Sequence, residues 1–189
     1  TAQHLRRLGP AAQLRGDLPA ELVNYQRLLE QHGYLVGYTG KGWGPGKSAS
    51  GNPAGQDYNK VKRDVDPAFS TIDHVANLQL FLANKKPDQP FSFWVSPTEP
   101  HRPFKEHIGV DSGRFKLAEI PVPPFLPDND KVRSDIADYL YEIEWFDEEL
   151  GRVLAVLEQA GELDNTVIVY TSDNGMAFPR AKSNNYDYG

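Results

Sequence analysis

Three apolar runs of strand length, each preceded by a helical pattern and followed by a polar loop, constrain this chain more than any other feature. Phe91–Val95 and Thr166–Thr171 (T-V-I-V-Y-T) are nearly continuous in apolar and β-branched residues, the pattern of strands covered on both faces. Tyr34–Thr39 reads as a third, interrupted by Gly37. Ahead of it, Glu21–Gln31 puts Leu22, Tyr25, Leu28 and Leu29 on one helical face, and Gly33 stops the helix. Ser70, Thr71 and Asp73 offer capping for a second helix through about Ala83, with Ile72, Val75, Leu78 and Phe81 or Leu82 facing inward. Val132–Ala160 is the strongest periodic segment: Ile136, Leu140, Ile143, Phe146, Leu150, Val153 and Leu157 recur at three- and four-residue steps. Asp135, Asp138, Glu142, Glu149 and Glu158 fall between them and read as a solvated face. Helix–strand–loop repeated three times predicts an α/β fold, mainly a parallel sheet flanked by helices. Ligands of such sheets bind beyond the carboxyl ends of the strands. The loops 40–48, 96–104 and 172–182 are therefore expected at one edge, sharing a site.

Charge and composition exclude several classes of function. The 189 residues carry 20 Lys/Arg against 26 Asp/Glu, a net charge of −6, which argues against a general nucleic-acid binder. Residues 1–63 are net basic and 64–189 strongly acidic, so the basic half could face an anionic ligand. The absence of cysteine removes a disulfide scaffold, a thiolate zinc site and a cysteine nucleophile from these residues. No apolar stretch approaches the ~18 residues of a membrane span, and no targeting segment is present in the chain.

Each loop offers one piece of chemistry. The first runs without apolar periodicity from Gly40 to Asn59 and opens Gly40-Lys41-Gly42-Trp43-Gly44-Pro45-Gly46-Lys47-Ser48. A P-loop would need a glycine at position 41, where lysine stands, so that reading fails. Lys41, at a strand end and flanked by glycines, is either an anion contact or a solvated lysine in a turn. The second loop holds His101 among Pro97, Pro100 and Pro103, which limit local chain entropy. An imidazole there suits proton transfer to a leaving group near neutral pH, or is a surface residue. The third loop presents Asp173 and Asn174 in Ser172-Asp173-Asn174-Gly175. Their oxygens suit Ca²⁺ or Mg²⁺, and the same residues also make an ordinary turn. Lys182 follows as a second cation.

Taken together, Gly33-Tyr34 through Gly40-Lys41, then Glu99-Pro100-His101-Arg102-Pro103, then Thr171-Ser172-Asp173-Asn174-Gly175 with Lys182, resemble the sulfatase family of the alkaline-phosphatase-like superfamily. Glu144-Trp145-Phe146-Asp147-Glu148-Glu149-Leu150-Gly151-Arg152 matches the family too, and Met176–Lys182 is similar to the heparan N-sulfatase (sulfamidase) branch. The resemblance implies an alkaline-phosphatase-like α/β fold and a hydrolase of sulfate esters or sulfamates of a carbohydrate such as a glycosaminoglycan. By motif, Asp173 and Asn174 resemble two ligands of a Ca²⁺ (less so Mg²⁺). Lys41 and Lys182 resemble sulfate-contacting lysines, and His101 the sulfate-contacting histidine and acid. The family works in periplasmic, secreted or lysosome-like settings.

Two departures accompany the match. The family's Gly-Lys-x-His reads Gly40-Lys41-Gly42-Trp43, without the histidine. Nothing in the chain matches the C/S-x-P-x-R motif whose cysteine or serine becomes the formylglycine nucleophile, and there is no early Asp-Asp pair. The resemblance thus implies that residues 1–189 are the central part of a sulfatase catalytic domain, with an incomplete fold and no sulfatase activity of their own. The formylglycine is expected outside this segment. In the full-length protein Asp173 and Asn174 should help bind Ca²⁺, while the segment alone should hold it weakly if at all. A phosphodiesterase or phosphonate monoester hydrolase of the same superfamily, and a non-catalytic binder of sulfated glycans, remain alternatives.

Overall fold

A computed structural model describes Gly9 and residues 15–182. The chain forms two compact units, residues 1–98 and 99–189. The first is built on a three-stranded parallel sheet of order β2–β1–β3, with β1 Leu35–Gly40, β2 Gln56–Asp57 and β3 Phe91–Ser96. β1 and β3 run in register from Leu35 opposite Phe91 to Gly40 opposite Ser96. Helix α1 (Tyr25–Gln31) precedes β1, and α2 (His74–Ala83) stands between β2 and β3. This is the α/β arrangement with a parallel sheet and flanking helices that the alternating pattern predicts.

Caps set the helix starts. The Asn24 side chain accepts from Arg27 N–H at 2.9 Å, so α1 begins at Tyr25 rather than Glu21. Its seven residues bury none of the expected apolar face: Tyr25 and Leu28 are exposed. Asp73 caps α2, accepting from Ala76 N–H at 2.8 Å, and Leu78 and Phe81 go inward as expected. Phe81 meets Tyr58 edge-on at 5.3 Å between ring centroids and lies 4.3 Å from Phe93, and this aromatic cluster beneath β1 forms the core of the first unit.

The second unit is organised by α4 (Asp130–Gln159), capped by Asn129 and followed by Gly161 at φ +69°. A short helix α3 (Ile108–Asp111) packs on it so closely that a Cβ at Gly109 would lie 2.4 Å from the Ala137 carbonyl. Phe104, Ile120, Ile136, Ala137 and Phe178 make the core. The acids of α4 do not form one solvated face: Asp138, Glu142 and Glu149 are buried. Asp138 turns inward because its carboxylate accepts the otherwise unmatched N–H groups of His107 and Gly109, both at 2.9 Å. Glu149 pairs with Arg152 one turn on. Periodicity marks where apolar residues recur, and it is blind to acids that go inside to meet backbone donors.

Thr166–Thr171 departs from the expectation of a buried strand. Among the described residues it joins no ladder, and Val167 and Val169 are 88% and 80% exposed. Only Tyr170 finds an aromatic neighbour, stacking on Phe146 at 5.7 Å. An apolar β-branched run shows capacity for pairing, while a strand exists only where a neighbour takes its backbone groups. The loop 40–59 also carries more order than its composition suggests: it contains β2, and Asn52 Oδ1 accepts from both Trp43 N–H and Ala54 N–H at 3.0 Å.

Candidate functional site

In the first unit, Lys41 follows directly on the carboxyl end of β1, with its side chain exposed. Its amide donates to Ser96 O of β3 at 2.8 Å. Gly40 reaches this turn at φ +85°, and a Cβ there would stand 1.9 Å from Ser96 O, so only glycine fits. The Tyr38 hydroxyl donates to Asp57 at 3.1 Å and accepts from Asn52 Nδ2 at 3.2 Å, tying the end of β1 to the loop that follows. Burial and the Asp57 carboxylate push the Tyr38 phenol above its ordinary pKa, so it stays a donor.

The other four sequence-predicted residues lie in the second unit. His101 is exposed between two cis peptide bonds, Glu99-Pro100 and Arg102-Pro103. Its Nδ1 donates to Arg102 O at 2.6 Å, which leaves Nε2 as the nitrogen available for proton transfer. Asp173 is exposed and Asn174 half-buried, on a turn in which Ser172 Oγ donates to Asn174 O at 2.6 Å. Lys182 is half-buried, its amide donating to Met176 O at 3.1 Å.

Arg102 links these two loops, and its sequence position gives no hint of that role beyond its neighbour His101. Its Nε donates to Ala177 O at 3.0 Å, and its two terminal nitrogens pair with Asp135 at 2.9 and 2.5 Å. The guanidinium lies 4.4 Å from the centroid of Phe104 and 4.8 Å from that of Phe178. One planar cation thus fastens the His101 loop to α4 and to the segment between Asn174 and Lys182. Close by, Glu142 is 1% exposed, and neither carboxylate oxygen has a hydrogen-bond partner among the described residues. Burial first, then the charges of Glu99 and Asp138, push its pKa up to about 8 against the opposing pull of Arg102. At neutral pH it is a neutral acid.

Among the described residues no three His, Cys, Asp or Glu side chains gather as a metal site. Asp173 and Asn174 supply a carboxylate and an amide oxygen, donors that fit a hard cation such as Ca²⁺ as part of a larger ligand set. The first unit offers an exposed lysine at a strand end; the second offers a histidine with one ring nitrogen committed and an oxygen pair on the turn that leads to a second lysine.

Comparison with known proteins gives the family. The chain is 29% identical over 182 residues to human N-sulphoglucosamine sulphohydrolase, covering 84% of this chain and 35% of that protein. It is 25% identical over 217 residues to choline-sulfatase of Rhizobium meliloti, covering 92% of this chain and 41% of that one. A 45-residue stretch is 53% identical to the N-acetylglucosamine-6-O-sulfatase of Bacteroides thetaiotaomicron, 24% of this chain and 8% of that protein. The chain therefore spans well under half the length of these relatives. The family model described as Sulfatase matches residues 6–189, nearly the whole chain. With that match running through both units, the chain belongs to the sulfatase family.

Proposed function

We propose that the full-length protein is a hydrolase that releases sulfate from the sulfate ester or sulfamate groups of a carbohydrate. The observation that carries this reading is the family match through residues 6–189, which takes in the exposed Lys41, the His101 loop and the Asp173–Lys182 segment. The relative named N-sulphoglucosamine sulphohydrolase, aligned over 84% of this chain, and the shorter match to an N-acetylglucosamine-6-O-sulfatase favour an N-sulfated or O-sulfated amino sugar.

In this reading the ammonium groups of Lys41 and Lys182 bind the sulfate and offset charge that builds on its oxygens as the bond to the sugar breaks. Fixed cations aimed at developing charge are the usual largest contribution to such catalysis. His101, with Nδ1–H held by the Arg102 carbonyl, acts as the imidazolium: it donates its Nε2 proton to the departing oxygen or nitrogen and is left as the neutral Nδ1–H imidazole. Asp173 and Asn174 would supply two of the ligands of a Ca²⁺, the rest coming from elsewhere in the protein. When bound, that ion polarises the sulfate oxygens. The attacking group is a formylglycine outside residues 1–189.

The test is sulfate release by the purified full-length protein, measured by ion chromatography on glucosamine N-sulfate, glucosamine 6-O-sulfate and a matched phosphate monoester. Sulfate release that falls at least ~100-fold in His101→Ala supports the reading. Turnover of the phosphate ester alone, or binding of the sulfated sugars without turnover, contradicts it.

A further inference from the structure

The structure assigns Asn59 as a positioning residue for Lys41: its side-chain amide substitutes for the missing neighbouring strand at the end of β1 and fixes the Gly40-Lys41 turn. The assignment rests on the reading of Lys41 as a sulfate-contacting residue and adds to it how that lysine is held.

The geometry follows from where β2 stops. On the β3 side, β1 is paired along its whole length, and the Lys41 amide continues the ladder to Ser96. On the β2 side, pairing covers only Gly37 and Tyr38, opposite Gln56 and Asp57, with Tyr58 N–H donating to Tyr38 O at 2.9 Å. In a parallel ladder alternate residues direct their N–H and C=O to the same neighbour, so the next residue to face β2 is Gly40. No strand residue is there to receive it. The Asn59 amide takes the place of one. Gly40 N–H donates to Asn59 Oδ1 at 2.6 Å, and Asn59 Nδ2 donates to Gly40 O at 3.1 Å. Asn59 itself is placed by Asp57, whose Oδ1 accepts the Asn59 N–H at 2.7 Å.

The same contact orients the buried groups beneath. Because Gly40 offers one donor and one acceptor, the Asn59 amide can sit only one way round. Oδ1 therefore faces the Thr39 hydroxyl at 3.4 Å, and that hydroxyl must donate to it. The same hydroxyl lies 3.1 Å from His74 Nδ1. Thr39 and His74 are both 0% exposed, so the pair forms a rigid floor under the turn. The device recurs among the described residues: the buried Asn77 amide likewise takes both Val61 N–H and Val61 O, each at 3.0 Å. At Asn77 the clamped segment is the loop entering α2, whereas at Asn59 it is the residue just before the lysine.

Lys41 is thus gripped through its own amide by β3 and through its predecessor by Asn59. Releasing one side lets the lysine Cα drift, and a misplacement of about 1 Å costs on the order of 100-fold in rate when it occurs at a group that must meet developing charge.

The experiment uses the full-length protein with Asn59→Ala, Lys41→Ala and the double variant, read by sulfate release and by amide hydrogen exchange. Asn59→Ala is expected to lower kcat/KM by about 10- to 100-fold, to speed exchange at the Gly40 amide by about tenfold or more, and to have no further effect once Lys41 is alanine. Equal losses from Asn59→Ala in both backgrounds would show a general structural role and overturn the assignment, as would unchanged exchange at Gly40. Asn59→Asp keeps the acceptor for Gly40 N–H but turns a carboxylate oxygen towards Gly40 O in place of the donor, and it carries the same cycle if the alanine variant does not fold. If Lys41→Ala itself leaves sulfate release intact, the functional reading of Lys41 falls, and the catalytic half of this assignment falls with it. Loss in Lys41→Ala with full activity in Asn59→Ala overturns the assignment alone.

Discussion

Replacing Glu142 by glutamine should stabilise the protein increasingly as pH rises. Glu142 is buried with both oxygens unpaired among the described residues, and its pKa stands at about 8 against an ordinary 4.5. Below pH 4.5 the folded and unfolded chains both hold the proton, and the residue contributes nothing to pH dependence. Between 4.5 and about 8 the unfolded chain releases it while the folded chain keeps it, so the folded state binds more protons and stability falls as pH rises. Above about 8 the penalty is complete and the dependence levels off. At about 1.4 kcal/mol per pH unit, the interval from 4.5 to neutrality sets an upper bound of about 3.5 kcal/mol. Glutamine has nearly the shape of the protonated acid and never ionises. Urea or thermal denaturation of wild type and Glu142→Gln at intervals from pH 4.5 to 8.5 should give curves that meet at the acid end and diverge towards neutrality, with the variant higher. Parallel curves would refute the reasoning, because they would place the Glu142 carboxylate in water or beside a compensating cation.

Gly40→Ala should destabilise by more than about 3 kcal/mol, since the new Cβ meets Ser96 O. Gly33→Ala, also at positive φ but with open space around it, should cost only about 1–2 kcal/mol by the same denaturation assay. Arg102→Ala should cost about 1–3 kcal/mol and lower sulfate release, and Arg102→Lys should restore little of either. A lysine cannot make the paired contact to Asp135 together with the bond to Ala177 O and the approach to two rings. In the full-length protein Asp173→Ala should lower bound calcium measured by atomic emission, and unchanged calcium content would remove Asp173 from the ligand set.

The sequence was informative wherever a feature repeats. The three- and four-residue steps from Val132 locate a helix that runs from Asp130 to Gln159, and the apolar run at Phe91 becomes β3. Lys41 and His101 stand out in the sequence as a glycine-flanked lysine and a proline-flanked histidine, and the structure leaves both exposed. Contacts that depend on a distant partner left no trace. Asn59 sits in an aperiodic stretch, and nothing local shows that its amide completes β1. Arg102 is one cation among twenty Lys/Arg until Asp135 and Ala177 are placed beside it. The two-residue β2 is too short for any alternation to register. The run at Thr166 shows the opposite error: its residues suit a strand, but pairing is a property of two segments, and only one of them is in that run.

We propose that Lys41, His101 and Lys182 each serve in binding the sulfate, and that Asp173 and Asn174 each ligate a cation. A crystal structure of the full-length protein soaked with inorganic sulfate and calcium tests it directly. The expected result is a sulfate within hydrogen-bond distance, about 3 Å, of Lys41 Nζ, His101 Nε2 and Lys182 Nζ, and a calcium ion ligated by Asp173 and Asn174. A sulfate bound away from those three side chains, or a calcium ion held without Asp173, would contradict it.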